Sequence, residues 1–199
     1  MPRRYQMATR ERAVQETRQR IIDAAISLHA QRGVIATNWE EIAGGAGVST
    51  ATVYRHFPSL GELVPACART AFEAGASLPT PAQAAAAFAG LTRPAPRIER
   101  LIRESCRCYE LGAGWLAAAR RDAKTVPALD RAVRLQDRVL GVLIQAALGD
   151  WSVDAQTVQV IKALIDFPFW KALTDAGVVK EMAPAVIYDL VRSRLQKRR

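Results

Sequence analysis

The sequence predicts an all-α protein, a three-helix N-terminal unit followed by a larger helical domain. Three observations predict it. Apolar residues recur at helical spacing along nearly the whole chain, and no convincing alternating strand interrupts them. Half of the 199 residues are apolar, enough to build a core rather than a disordered polyelectrolyte. Glycines fall where helices should stop, at Gly33, Gly149 and Gly177.

The first helix is predicted over 16–31, with Ile21, Ile22, Ala25 and Leu28 on one face and Gly33 beyond its end. Thr37 stands three residues before Glu40, a capping-box spacing that starts a second helix. A third follows at once after Gly47 and Ser49, and a fourth over 60–73. The segment "GASLPTPAQAAAAFAGLTRPAP" then changes character: four prolines and an alanine run mark connections around a short helix. The change in composition places the domain boundary between this loop and the helix before it. Longer helices are predicted over 97–111, 126–147, 153–174 and 180–196, with Pro168 kinking the third of these.

Charge narrows the class. The formal net charge is +9, and arginine supplies 23 of the 28 basic residues. Arginine favours planar, bidentate contacts such as those to phosphate. The excess sits at the ends: residues 1–20 carry six Arg against two Glu, and 192–199 carry five basic residues and no acid. A basic end can equally be a solvated tail. The three cysteines, Cys67, Cys106 and Cys108, form neither a disulfide framework nor a zinc pattern. No apolar run reaches the ~18 residues of a membrane span, and the N-terminus lacks the apolar core of a secretory signal. The expectation is a cytoplasmic protein with no membrane partner.

The informative stretch is "WEEIAGGAGVSTATVYRHF", 39–57. With Trp39 as first position of a helix–turn–helix, Ala43 is fifth, Gly47 ninth and Val53 fifteenth. A small residue lets two short helices cross, glycine supplies the positive φ of the turn, and the aliphatic residue locks the second helix onto the first. Ser49 is placed as its N-cap. Val53 and Phe57 share the inward face of a helix of nine residues. Ala51 and Arg55 then point away, flanked by Thr50 and Tyr54 on one side and Thr52 and His56 on the other. Arg55 can reach guanine O6 and N7, and Ala51 a thymine methyl. The hydroxyls of Thr50, Thr52 and Tyr54, with His56, suit phosphate oxygens. The basic arm before residue 20 can lie along the backbone or in the neighbouring minor groove. Ala-x-x-x-Gly spacing also arises by chance, and surface Tyr and Arg need no special role; the cap, the arm and the first helix all agree with the DNA-binding reading.

The stretch "IIDAAISLHAQRGVIATNWEEIAGGAGVSTATVYRHFPS", with its core "GVSxxTVYxHF", resembles the DNA-binding domain of the TetR (tetracycline-repressor-like) family of bacterial transcriptional regulators. The likeness covers roughly residues 18–65. It implies a homodimer with an N-terminal helix–turn–helix and a C-terminal helical domain holding a ligand cavity. By resemblance Thr37 caps the second helix; Thr52, Tyr54 and His56 contact the DNA backbone; and Thr50, Ala51 and Arg55 lie where relatives read bases. Three departures stand out. Leu60 replaces a phosphate-gripping lysine at the start of the fourth helix. His29 replaces an aromatic core residue and reads as a partly buried, hydrogen-bonded histidine. Trp39 is larger than the usual aliphatic and reads as packing rather than base contact.

Beyond the resemblance, the last two helices carry apolar stripes: Val158, Ile161, Leu164, Ile165 and Phe169, then Met182, Val186, Ile187, Leu190 and Val191. Pairing with a symmetry mate would bury them as a four-helix bundle; internal core is the alternative. Arg103, Cys106, Tyr109, Glu110, Trp115, Phe167 and Trp170 mix aromatic and polar groups and are the candidate effector pocket. Each aromatic taken singly is more often ordinary core. Cys106 and Cys108, two apart on a helix, face different ways and make a poor redox pair.

By function the chain divides into 1–62, a DNA-binding domain with its basic arm, and 63–199, an effector-binding and dimerisation domain joined to it through the fourth helix. The expected activity is a transcriptional regulator, a repressor released from double-stranded operator DNA by a small lipophilic effector. The alternative is an effector-independent, architectural DNA binder. No enzyme is expected: His29 and His56 lie in the N-terminal third without a Ser/His/Asp or metal constellation, and no cofactor or metal is implied.

Overall fold

The computed structural model describes residues 2–71 and 77–196, with side chains from Thr9 onward. Ten helices and no strand are found among these residues: α1 (Pro2–Arg32), α2 (Trp39–Ala46), α3 (Thr50–His56), α4 (Leu60–Ala71), α5 (Pro81–Ala86), α6 (Pro94–Asp122), α7 (Pro127–Leu148), α8 (Ala155–Ile165), α9 (Phe167–Asp175) and α10 (Ala183–Gln196). None is long and apolar enough to cross a membrane. The chain forms two compact units, Met1–Ala74 with Gly114–Val133, and Gly75–Ala113 with Arg134–Arg199. Residues 114–133 thus pack with the N-terminal helices, although a division at 62/63 assigns them to the second domain.

In the first unit α1 begins at Pro2, well before residue 16. After Pro2, which is tolerated in a first helical turn, no proline or glycine occurs until Gly33, so nothing stops the helix earlier. The segment read as an arm is therefore the N-terminal part of α1, exposed over Thr9–Glu16; the side chains of Arg3 and Arg4 lie outside the described residues. Ile21, Ala25, Ile42, Val53, Phe57 and Leu63 are completely or almost completely buried, each stabilising the unit by about 1.5–3 kcal/mol for a large side chain. Ala24 of α1 lies close to Gly45 of α2, where an added Cβ would stand 3.2 Å from the Ala24 methyl. The fourth helix is described to Ala71; Glu73 lies outside the described residues.

The last nine residues of α6 also belong to this unit. The periodicity predicts a helix over 97–111, but the observed helix runs to Asp122. Gly114 does not terminate it. A Cβ there would stand 2.8 Å from the Ala30 methyl, so the glycine permits close approach to α1 and the backbone stays helical.

The second unit is built on Phe88, Ile98, Leu101, Ile102, Leu140, Ile144, Ile161, Ile165, Ile187 and Val191, all buried. Thr80 and Gln83 form a capping box at α5. The helix predicted over 153–174 is two helices. Asp166, with φ −66° and ψ 155°, ends α8 and caps α9, accepting from the Phe167 N–H at 2.7 Å. Pro168 falls in the first turn of α9, where its missing N–H costs nothing, so the break precedes the proline. Of the apolar stripes, Ile161, Ile165, Ile187 and Val191 are internal core. Val158, Leu164, Phe169 and Val186 are half-buried, and Met182 and Leu190 are exposed. Lys197, Arg198 and Arg199 lie outside the described residues.

Candidate functional site

Helix α2 starts from Asn38, not Thr37. Asn38 is extended, its side chain accepts from the Glu41 N–H at 2.8 Å, and the Glu41 carboxylate accepts from the Asn38 N–H at 3.1 Å, a full capping box. The Thr37 hydroxyl is engaged elsewhere, donating to the Gly33 carbonyl at 2.7 Å. The assignment of Thr37 as cap is thereby corrected: the Asn38 side chain takes the Glu41 N–H, and the Thr37 hydroxyl folds back onto the preceding turn. Thr37 is half-buried at the entry to the helix.

The turn between α2 and α3 rests on Gly47, whose φ of 65° is left-handed. The Gly47 N–H reaches the Gly44 carbonyl and the Val48 N–H reaches that of Ala43. That closes α2 and reverses the chain within two residues. Ser49 then caps α3, accepting from the Thr52 N–H at 3.2 Å, with its hydroxyl 3.0 Å from that of Thr52. Helix α3 is seven residues long rather than nine, because Phe57 leaves helical geometry.

Val53 and Phe57 have no exposed surface. The Arg18 guanidinium lies 4.0 Å above the Phe57 ring, so a cation–π contact ties α1 to the end of α3. With that face inward, Ala51, Tyr54 and Arg55 are exposed, and Thr50, Thr52 and His56 half-exposed beside them. These six side chains form one continuous outer surface. Trp39 packs against Tyr54, ring centroids 5.2 Å apart, and so braces the tyrosine from α2. Partial burial, then the charges of Arg55 and Arg18, hold His56 below its ordinary pKa. Leu60 is half-exposed at the first position of α4.

The residues read as a pocket divide. Tyr109, Phe167 and Trp170 are buried and pack on one another, with centroids 5.6–6.0 Å apart. Cys106 is buried on the same helix as Tyr109, and burial pushes its thiol up to about 12. Arg103 and Glu110 are exposed and do not converge with the rings, because they lie on the solvent side of α6. Trp115 is buried but belongs to the first unit. The Trp170 indole N–H has no acceptor among the described residues. Two open clefts are lined by other side chains. One of about 810 Å³ lies among Trp151, Thr157 and Arg194 in the second unit. The other, of about 460 Å³, lies between Arg18 and Arg69 in the first.

Sequence reasoning missed Asp122. It is buried, and its carboxylate accepts from the Val34 N–H at 2.7 Å and the Ile35 N–H at 3.2 Å. His29 sits in the same unit, 1% exposed. It is not hydrogen-bonded: neither ring nitrogen has a partner among the described residues. Burial lowers its pKa to about 4, against the opposing influence of Asp122.

Residues 21–67 match the model of bacterial regulatory proteins of the tetR family. The chain is 47% identical over 49 residues to the HTH-type transcriptional regulator AcrR of Shigella flexneri, a match taking in 25% of this chain and 23% of that protein. Among solved structures, a TetR-family member from Streptomyces coelicolor A3 is 27% identical, with 87% of this chain and 97% of that one covered, at a TM-score of 0.63. The multidrug binding protein EbrR, complexed with imidazole, is 28% identical over 87% of this chain and 93% of its own, at a TM-score of 0.57. The buried Val53–Phe57 face, the left-handed turn at Gly47 and these matches agree: residues 21–67 are a domain of the bacterial regulatory proteins of the tetR family, and the chain shares the helical fold of such proteins.

Proposed function

We propose that the protein is a homodimeric, sequence-specific DNA-binding regulator of transcription, a repressor that a small lipophilic effector releases from its operator. One observation carries the DNA-binding reading. Burial of Val53 and Phe57 leaves Thr50, Ala51, Thr52, Tyr54, Arg55 and His56 on one outward surface. That surface leads with short side chains at the N-terminal end of α3, as entry into a major groove requires. Arg55 is the base-reading residue, with Thr50 and Ala51 beside it; Thr52, Tyr54 and His56 meet phosphates, as does Thr37 at the entry to α2. In this reading residues 1–62 bind DNA and 63–199 dimerise and receive the effector. The part-exposed Val158, Leu164, Phe169, Met182, Val186 and Leu190 supply the twofold interface. Two copies of α3 must then sit about 34–36 Å apart to reach successive major grooves.

An effector is supported by the unpartnered Trp170 N–H beside two other rings and by the likeness to EbrR, which is described as multidrug binding. An effector-independent architectural binder is favoured by a different observation, the mutual packing of Tyr109, Phe167 and Trp170, which fills the space between them.

Selection of bound duplexes from a random pool by the purified protein tests the reading. It should return paired half-sites, and Arg55→Ala should relax the preference at one base step by ~1–3 kcal/mol. Repeating the selection with cationic dyes and other lipophilic compounds separates the two readings. Release by any of them favours the sensor. If Arg55→Ala changes neither affinity nor preference, the assigned face is wrong.

A further inference from the structure

The turn joining α1 to α2 is a short run of backbone held in an unusually complete frame. The Gly33 N–H reaches the His29 carbonyl and the Thr37 N–H that of Val34, while the Thr37 hydroxyl donates to Gly33. Gly33 itself is left-handed, with φ 100°. An ion pair between Arg32 and Glu41 spans the turn from α1 to the first turn of α2.

Two N–H groups in this turn, those of Val34 and Ile35, find their acceptor 88 and 87 residues later. Both bond to one oxygen of Asp122, the last residue of α6. The Arg121 guanidinium donates to the other Asp122 oxygen at 3.2 Å and to the Arg32 carbonyl, near the end of α1, also at 3.2 Å. The fit is close. A Cβ at Gly33 would stand 2.1 Å from Arg121 Nη2 and 2.8 Å from Asp122 Oδ2. The carboxylate is buried and the turn carries Val34, itself 1% exposed. A buried carboxylate bonded to two backbone N–H groups and a guanidinium is satisfied.

From this we infer that Asp122, assisted by Arg121, is a positioning residue for operator recognition. It fixes where the chain leaves α1 and hence how α2, and α3 packed on it, are presented to DNA. The inference rests on the proposed DNA-binding role. The first turn of α2 follows the clamped residues directly, through the Asn38 cap. A carboxylate at this place does more than fill space. Asn in its stead retains one acceptor but turns an amide N–H₂ toward either two backbone donors or the guanidinium, and one contact must break.

The test compares wild type, Asp122→Asn and Arg121→Ala at a temperature where circular dichroism shows each fully folded. Each is titrated with a selected operator and with non-specific duplex of equal length. Asp122→Asn should lose at least about tenfold in operator affinity while non-specific affinity stays within about twofold, because phosphate attraction tolerates a misplaced α3. Arg121→Ala, an exposed side chain whose loss leaves the carboxylate in place, should show a smaller loss of the same kind, and it decides the matter if Asp122→Asn does not fold. In amide exchange, Val34 and Ile35 should lose protection in Asp122→Asn while Val53 and Phe57 keep theirs. Unchanged operator binding by the folded variant, or an equal loss on both duplexes, overturns the positioning role alone. A wild type that selects no sequence from the pool overturns the DNA-binding reading, and this inference with it.

Discussion

Replacing His29 by phenylalanine should raise stability and remove a pH dependence, and the structure sets both magnitudes. The imidazole is 1% exposed and neither nitrogen has a partner among the described residues. Removing such unmet polar groups while keeping an aromatic of similar shape should stabilise the fold by about 1–3 kcal/mol at pH 7.5. The pH effect follows from a pKa lowered from 6.5 to about 4 in the folded state, through burial. Between these values the unfolded chain binds a proton that the native protein refuses, so stability falls as pH falls. At about 1.36 kcal/mol per pH unit, the 2.5 units between 6.5 and 4 amount to about 3 kcal/mol. About 2 kcal/mol of that is already lost at pH 5. Urea unfolding of both proteins from pH 7.5 to pH 5 isolates this contribution as the difference between them, since the other titrating groups are common to both. The gap in favour of phenylalanine should widen by about 2 kcal/mol over that range. A gap that stays constant with pH, or a variant less stable than wild type at pH 7.5, would refute a buried neutral imidazole without partners.

Other substitutions probe the first unit. Asn38→Ala should cost about 1 kcal/mol through loss of the cap, and Thr37→Val about half that, since only its bond to Gly33 is removed; thermal melts giving the reverse order would restore Thr37 as the cap. Gly114→Ala should destabilise by about 1–3 kcal/mol, because its methyl would meet the Ala30 methyl at 2.8 Å. Adding Ala30→Gly should recover most of that loss in the same denaturation assay. Tyr54→Phe keeps the ring against Trp39 and removes only a hydroxyl, so anisotropy titrations should show a loss of about 1 kcal/mol, alike on operator and non-specific DNA. A loss confined to the operator would make Tyr54 a base reader.

What was legible in the sequence was local. The turn at Gly47, the cap at Ser49 and the inward pair Val53 and Phe57 all lie within eleven residues, where spacing alone dictates which side chains meet. Thr37 and Asn38 show how narrow that legibility is. Both are capping types with a glutamate three residues on, Glu40 and Glu41, and the hydrogen bonds tell them apart: Thr37 bonds back to Gly33, Asn38 forward to Glu41. The break at Asp166 was readable after all, as an aspartate cap with proline in the first turn behind it. So was the exclusion of Arg103 and Glu110 from the pocket. The arc of α6 defined by Ile98, Leu101, Ile102 and Tyr109 leaves both on the opposite side.

Gly114 and Asp122 belong to another class, because what each does depends on residues more than eighty positions away. A glycine in "LGAGW" has the same local chemistry whether it ends a helix or lets one press on Ala30, and the chain near it contains nothing to decide. An aspartate at the end of a helix is, by local rules, unfavourably placed, since the helix dipole puts negative charge there too. Its presence at position 122 makes sense once the Val34 and Ile35 N–H groups and the Arg121 guanidinium are counted as its partners. A residue that opposes its own helix and finds backbone donors in a distant turn ties two parts of the chain together. That opposition is the feature to look for when a sequence places an acid where the local rules ask for a base.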